Sequence, residues 1–234
     1  MPKDIPHLAL LSGLLCDGSV WDGVIDALGD AAKPVAISFA GCTTIRQMAE
    51  KVLASMPETF ALAGHSMGGR VALEVYRMAP QRVLRLALLN TGVHPRTEKE
   101  VPGRQRLLDL ADEEGMAAVA RSWLPPMMSE AARGNSELMA QLNTMIEHHS
   151  PAEFHGQIHA LLNRPDAEQV LATVTVPTLL LSGDQDQWSP VAQHQAMQRS
   201  LPSARLVALE GVGHMSTVEA PVQIASALEQ WLAG

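Results

Sequence analysis

The chain has 234 residues, 47% of them hydrophobic and 18% charged, with a formal net charge of −8 and no basic stripe. That balance suits one large buried core and excludes nucleic acid as an expected partner. Its only cysteines, Cys16 and Cys42, cannot build a disulfide framework, and no apolar run approaches the roughly 18 residues of a membrane-spanning helix.

The first apolar run is broken by Ser12 and Gly13 and has neither a basic leader nor a small-residue cleavage site, so a cytoplasmic address is expected. In chain order, strands are expected at His7–Leu11, Val35–Phe39, Phe60–Ala63, Val83–Leu89, Thr178–Leu181 and Ala204–Leu209. These runs are apolar almost throughout, as in strands buried on both faces of a parallel sheet. Between them, helical spacing marks Val20–Leu28, Thr43–Met56 (with Thr43 or Thr44 as N-cap), Met67–Met78, Pro190–Leu201 and Pro221–Leu232. The alternation predicts right-handed βαβ crossovers, hence an α/β fold with a doubly wound, mostly parallel sheet. Ligands of such sheets lie beyond the carboxyl ends of the strands.

From Val93 to Ala172 the strand signal stops. Helical patches occupy Leu107–Ala120, Leu138–Ile146 and Phe154–Leu162, interrupted by Trp123, Pro125, Pro126, Met127 and Met128. The expected organisation is a core of residues 1–92 and 173–234, with residues 93–172 inserted as an all-helical cap over the sheet's active edge. Arg164 and Asp166 are expected to anchor the end of that cap, Asp166 as N-cap of a short helix leading back to the sheet.

The segment Gly64-His65-Ser66-Met67-Gly68 lies where a strand gives way to a helix. Alone, Ser66 reads as a helix N-cap. In a strand–turn–helix setting, glycines two residues to each side make it a nucleophile elbow, a sharp turn that exposes the hydroxyl. Beyond the insertion stand Gly183, Asp184, Asp186 and Pro190, and near the end Gly213, His214, Glu219 and Pro221. With these motifs in this order, the sequence resembles the α/β-hydrolase family over nearly its whole length.

The resemblance implies a triad of Ser66 as nucleophile, Asp186 as acid and His214 as base, with Asp184 the runner-up acid. It implies an oxyanion hole made by the backbone amides of Met67 and Leu14. Ser12 stands where many members carry a histidine that braces the loop, while Gly13 is kept. The family's leading antiparallel hairpin is expected to be missing. That leaves a sheet of six strands with His7–Leu11 nearer one edge than usual.

A free serine is a weak nucleophile at neutral pH; His214 would take its proton and return it to the leaving group, and Asp186 would fix the imidazole. A small-molecule substrate is expected, a small or medium apolar carboxylic ester, because the cap is rich in Met, Leu and Ala. Trp123, Met127, Met128 and Trp188 are candidate pocket residues. The alternatives are a carbon–carbon bond hydrolase, a lyase, an acyltransferase or a hydrolase-like ligand receptor. His65 is read as a brace rather than a base, and Cys16 and Cys42 as free, inert thiols. His155 and His159, spaced i, i+4, suit zinc, but with His148 and His149 they complete no recognised ligand set. No metal and no cofactor are expected.

Overall fold

In the computed structural model, which describes residues 5–234, the strands are β1 (His7–Leu11), β2 (Lys33–Ile37), β3 (Phe60–His65), β4 (Val83–Leu89), β5 (Thr178–Gly183) and β6 (Arg205–Leu209). They form one sheet in the order β2-β1-β3-β4-β5-β6, with every neighbouring pair parallel. The first four residues of the expected core segment lie outside the described residues. Among the described residues no strand precedes β1, which lies second from one edge.

The chain reverses its direction of travel across the sheet between β1 and β3, the switch point at which doubly wound sheets hold ligands. Leu11 pairs with Gly64 and His65 with Leu89, so the loops after β1, β3 and β4 lie side by side. β3 and β5 are buried along their whole length. β2 and β6 are not: each has a single neighbour and is largely exposed or half-buried, which corrects the reading of six fully buried strands. β2 also starts and ends two residues earlier than expected. Its bounds follow β1, with His7 opposite Lys33 and Leu11 opposite Ile37, rather than its own apolar run.

The core helices are local outcomes of capping and periodicity. A 3-10 turn at Gly18–Trp21, capped by the Asp17 carboxylate, precedes α1 (Asp22–Leu28), where the pattern suggested one continuous helix. α2 (Ile45–Ser55) is capped by Thr44, whose hydroxyl accepts from Gln47 N, and it turns Ile45, Met48, Ala49 and Val52 inward. α3 (Met67–Met78) begins directly after Ser66.

Between β4 and β5 the chain is helical. It forms α4 (Glu100–Glu114), α5 (Met116–Trp123), α6 (Glu130–Arg133), α7 (Ser136–Glu147), α8 (Pro151–Leu162) and α9 (Glu168–Ala172). The expected patch Leu107–Ala120 is divided at Gly115, whose φ of 81° ends one helix and starts the next. α8 opens with a full capping box between Ser150 and Glu153. The N-cap of α9 is Ala167 rather than Asp166; the Asp166 carboxylate instead reaches forward to accept from Glu168 N at 2.9 Å. The chain then completes the core with α10 (Val191–Ser200), α11 (Ser216–Glu219) and α12 (Pro221–Ala233). Pro190 is the N-cap of α10 rather than its first residue. Among the described residues no helix is long and apolar enough to cross a membrane.

Candidate active site

Ser66 occupies the sharp turn between β3 and α3 with φ 55° and ψ −116°, a backbone conformation that non-glycine residues rarely adopt. Three hydrogen bonds hold it there. Ser66 N donates to Leu89 O at 2.9 Å, and Ser66 O accepts from Gly69 N at 3.0 Å and from Thr91 Oγ1 at 2.7 Å. The flanking glycines are required by packing. A Cβ on Gly64 would come within 2.3 Å of Gly68 O, and one on Gly68 within 2.2 Å of Leu11 O. The result is a hydroxyl raised above the sheet's carboxyl edge.

Loops after β5 and β6 bring the other two groups to it. Ser66 Oγ lies 2.8 Å from His214 Nε2, and His214 Nδ1 lies 2.9 Å from Asp186 Oδ2. With Nδ1–H donating to the carboxylate, Nε2 is the acceptor for the serine proton. Asp186 is 2% exposed. Its Oδ1 accepts from the amides of Trp188 (2.8 Å) and Ser189 (2.9 Å), and its Oδ2 also accepts from Asn90 Nδ2 (2.9 Å). Burial alone would raise its pKa. The His214 charge and the hydrogen bonds from His214, Ser189 and Asn90 outweigh that and hold it at about 2. Asp184 is not near the imidazole; its carboxylate accepts from Gly211 N at 2.8 Å. The runner-up acid is therefore a loop brace.

Leu14 and Met67 line the same cavity as Ser66 and His214. The loop bearing Leu14 passes close to the serine: a Cβ on Gly13 would lie 3.2 Å from Ser66 Cβ. Ser12 Oγ donates to Asp17 O at 2.8 Å, and the Leu15 amide donates to the buried Gln157 Oε1 of α8 at 2.9 Å, so the loop has its own bracing without a histidine. His65 also serves as a brace. Its Nε2–H donates to His214 O at 2.7 Å, while burial first, then the proximity of His214, bring its pKa down to about 4 and keep it neutral.

The inserted helices tie directly into this edge. His214 N donates to Met127 O at 2.8 Å, and Glu219 Oε2 accepts from Ser129 N and Gly213 N, both at 3.0 Å. Together sheet and insertion enclose a cavity of about 800 Å³ that holds Ser66 and His214 at its floor. Leu14, Leu107, Leu110, Trp123, Met127 and Leu161 make its apolar wall.

Comparison with known proteins matches residues 8–227 to the alpha/beta hydrolase family. The chain belongs to that family. A pimeloyl-[acyl-carrier protein] methyl ester esterase from Nitrosomonas europaea is 26% identical over 96% of this chain and 94% of its own. A relative from Pseudomonas savastanoi pv. phaseolicola, 29% identical over 98% of this chain and 94% of its own, bears the provisional name of a carbamate hydrolase. Among solved structures, a malate-bound thermophilic esterase from Thermogutta terrifontis superposes with a TM-score of 0.88 at 25% identity, covering 99% of this chain and 92% of that one. The chain is a hydrolase of the α/β-hydrolase fold.

Within this hydrolase, the structure sorts the remaining candidates. Trp123, Met127 and Trp188 line the cavity, Trp188 at its rim with 52% of its surface exposed. Met128 does not line it, a correction to the sequence reading. It is buried just after the turn at Pro125–Met127, and its backbone packs beside Gly213 of the His214 loop. Cys16 is buried and its thiol pushed up to about 12, mainly by burial; Cys42 is raised for the same reason, and both are free. His155 pairs with Asp112 at 2.9 Å and His159 Nδ1 donates to Thr43 O at 3.0 Å.

Several residues here were missed in the sequence. Asn90 directly follows β4, on the edge where ligands are expected, and its φ of 49° aims its amide at Asp186. Gln157 has no local signal. The largest departure concerns charge: the sequence reading took the cap as apolar, yet Arg70, Arg104, Arg106 and Lys99 also line the cavity.

Proposed function

We propose that the protein hydrolyses a carboxylic ester by a serine mechanism, with Ser66 as nucleophile, His214 as base and then acid, and Asp186 as the group that fixes the imidazole. The observation that carries this reading is the unbroken line from Ser66 Oγ through His214 (2.8 Å) to Asp186 (2.9 Å), at the floor of a cavity. Ser66 Oγ attacks the ester carbonyl as its proton passes to His214 Nε2; the tetrahedral oxyanion accepts from the amides of Met67 and Leu14. The alcohol leaves with the proton from Nε2. Water then attacks the acyl-enzyme with the same proton traffic reversed. Each oxyanion donor is worth about 3–4 kcal/mol in the transition state. The acyl chain packs on the apolar wall formed by Leu107, Leu110, Trp123 and Met127, under a helical cap that spans residues 93–172.

The nearest alternatives, acyl transfer and carbon–carbon bond cleavage, use the same three residues and differ only in the attacking or departing group. The free thiols, Cys16 buried and Cys42 half-buried, fit a reducing, cytoplasmic setting. The test is turnover of p-nitrophenyl acetate and butyrate with Ser66→Ala as control. Wild-type turnover and a loss on the order of 10⁴–10⁶-fold in the variant are expected. Absence of turnover, together with no labelling of Ser66 by a fluorophosphonate, would overturn the reading. Product analysis with an added alcohol or thiol separates hydrolysis from transfer.

A further inference from the structure

Beside the apolar wall, three guanidinium groups gather around one carboxylate, that of Glu100, which two of them contact. Arg164, at the end of α8, has a side chain 1% exposed and is fully satisfied. It donates to Glu100 through both Nη atoms, at 2.6 and 2.9 Å, and to the carbonyls of His94, Pro95 and Leu161. Arg104, one turn along α4, reaches the same Glu100 only at 3.5 Å, and its buried Nε has no partner. Arg70 has no acidic partner: Nη1 donates to His94 O at 2.9 Å and Nη2 to His94 Nε2 at 3.4 Å, both neutral acceptors.

Glu100 is thus engaged chiefly by Arg164, and one carboxylate is left to offset the further charges of Arg70 and Arg104, both of which line the cavity, in a protein whose net charge is −8. Burial of an unmatched cation is unfavourable unless something anionic completes it. The same tension shows in Arg70 itself, whose pKa burial and then Arg164 draw down towards 9.

Resting on the ester-hydrolase reading above, we infer that Arg70 and Arg104 form an anion subsite, and that the natural ester carries a carboxylate or phosphate beside its apolar portion. Spacing sets the reach. Arg70 follows Ser66 by four residues, one turn of α3 or about 5.4 Å, so the anion lies a few bonds from the scissile carbonyl. A half-ester of a short dicarboxylic acid meets both demands, its methylenes on Leu107 and Leu110 and its free oxygens on the paired guanidiniums. The fork geometry of arginine suits two anionic oxygens better than a neutral brace to His94 requires. Arg106 and Lys99, which also line the cavity, add field without a defined contact.

The experiment compares matched esters by proton release: monomethyl glutarate against methyl pentanoate, and butanoyl glycolate against ethyl butanoate, so that the anion is offered on the acyl or the alcohol side. Wild type should favour the anionic member of one pair by about 10-fold or more in kcat/KM, expressed mainly in KM. Arg70→Gln and Arg104→Gln should each collapse that ratio, with Arg70→Lys intermediate. A ratio near one in both wild-type pairs, or a ratio unchanged in both glutamine variants, overturns the inference. A phosphate-bearing pair, ethyl butanoate against butanoyl phosphoglycol, distinguishes the two anions. Binding is read separately on Ser66→Ala protein by calorimetry with glutarate and with inorganic phosphate. Affinity that weakens from 20 to 300 mM NaCl and falls about 10-fold on adding Arg70→Gln supports the subsite even if no ester is turned over. A serine inert to fluorophosphonate would sink the hydrolase reading while leaving that binding result intact. Melting curves on every variant exclude misfolding, and the salt dependence needs no arginine variant at all.

Discussion

Replacing Asp186 by Asn keeps the size of the side chain and changes which atoms hold protons. Asp186 Oδ1 accepts from two backbone amides, Trp188 N and Ser189 N, neither of which can turn away. The asparagine oxygen must therefore take that position, and its NH2 must face His214 Nδ1 and Asn90 Nδ2, where the carboxylate now accepts from both. His214 then accepts at Nδ1 and carries its proton on Nε2, pointing at Ser66 and unable to receive from it. The expected loss in kcat is about 10⁴-fold, or about 5 kcal/mol. Stability falls as well: a carboxyl held at about 2 against an ordinary 3.8 contributes about 2 kcal/mol at pH 7. For a chain of this length that lowers Tm by roughly 4–8 °C. Ester turnover and calorimetric melting measure the two effects, with Asp184→Asn as control, expected to stay within about twofold of wild type because its carboxylate braces only Gly211. Turnover of the Asp186 variant within tenfold of wild type would refute the assignment of this carboxylate to the imidazole.

Gly64→Ala drives a methyl group against the Gly68 carbonyl and should destabilise the fold by about 3 kcal/mol, read as a drop in Tm, with loss of turnover beyond that of the melted fraction. Gln157→Ala strips the buried acceptor from the Leu15 amide and frees the loop that carries Leu14; a loss of about 1–3 kcal/mol and roughly tenfold lower kcat are expected in urea titration and kinetics. Acid sensitivity should centre on His65, neutral in the folded protein down to about 4, whereas an unfolded chain protonates it near 6.5. The unfolded state binds more protons in that window, so stability falls by up to about 3 kcal/mol as pH drops from 6.5 to 4. The contribution of Asp186 is retained there and lost only between about 3.8 and 2. Urea midpoints at several pH values test this, and His65→Gln should flatten the upper part of the slope.

What was legible in the chain was whatever is written locally. The turn at Gly64–Gly68 is held partly by Leu11 and Leu89 of neighbouring strands, but its residues are written in one strand–helix stretch; the motifs around Asp186 and His214 each follow a strand, so short stretches announced them. The edge strands were harder: the limits of β2 are imposed by its partner β1, not by Val35–Phe39. The charged side of the cavity was illegible for a similar reason. Arg70, Glu100 and Arg164 are separated by 30 and 64 residues along the chain and meet only because α4 and α8 fold over α3. Arg70 alone left a trace, one helical turn beyond the serine. Asn90 was within reach of the rule that marks residues just beyond each strand.

The Met127 carbonyl that receives the His214 amide makes roof and machinery interdependent. Lifting the roof as a single rigid flap would pull on the very segment that presents the imidazole. Admission of a reactant and readiness to react would then exclude one another. Trp188, half-exposed where it borders the chamber, stands apart from that tether.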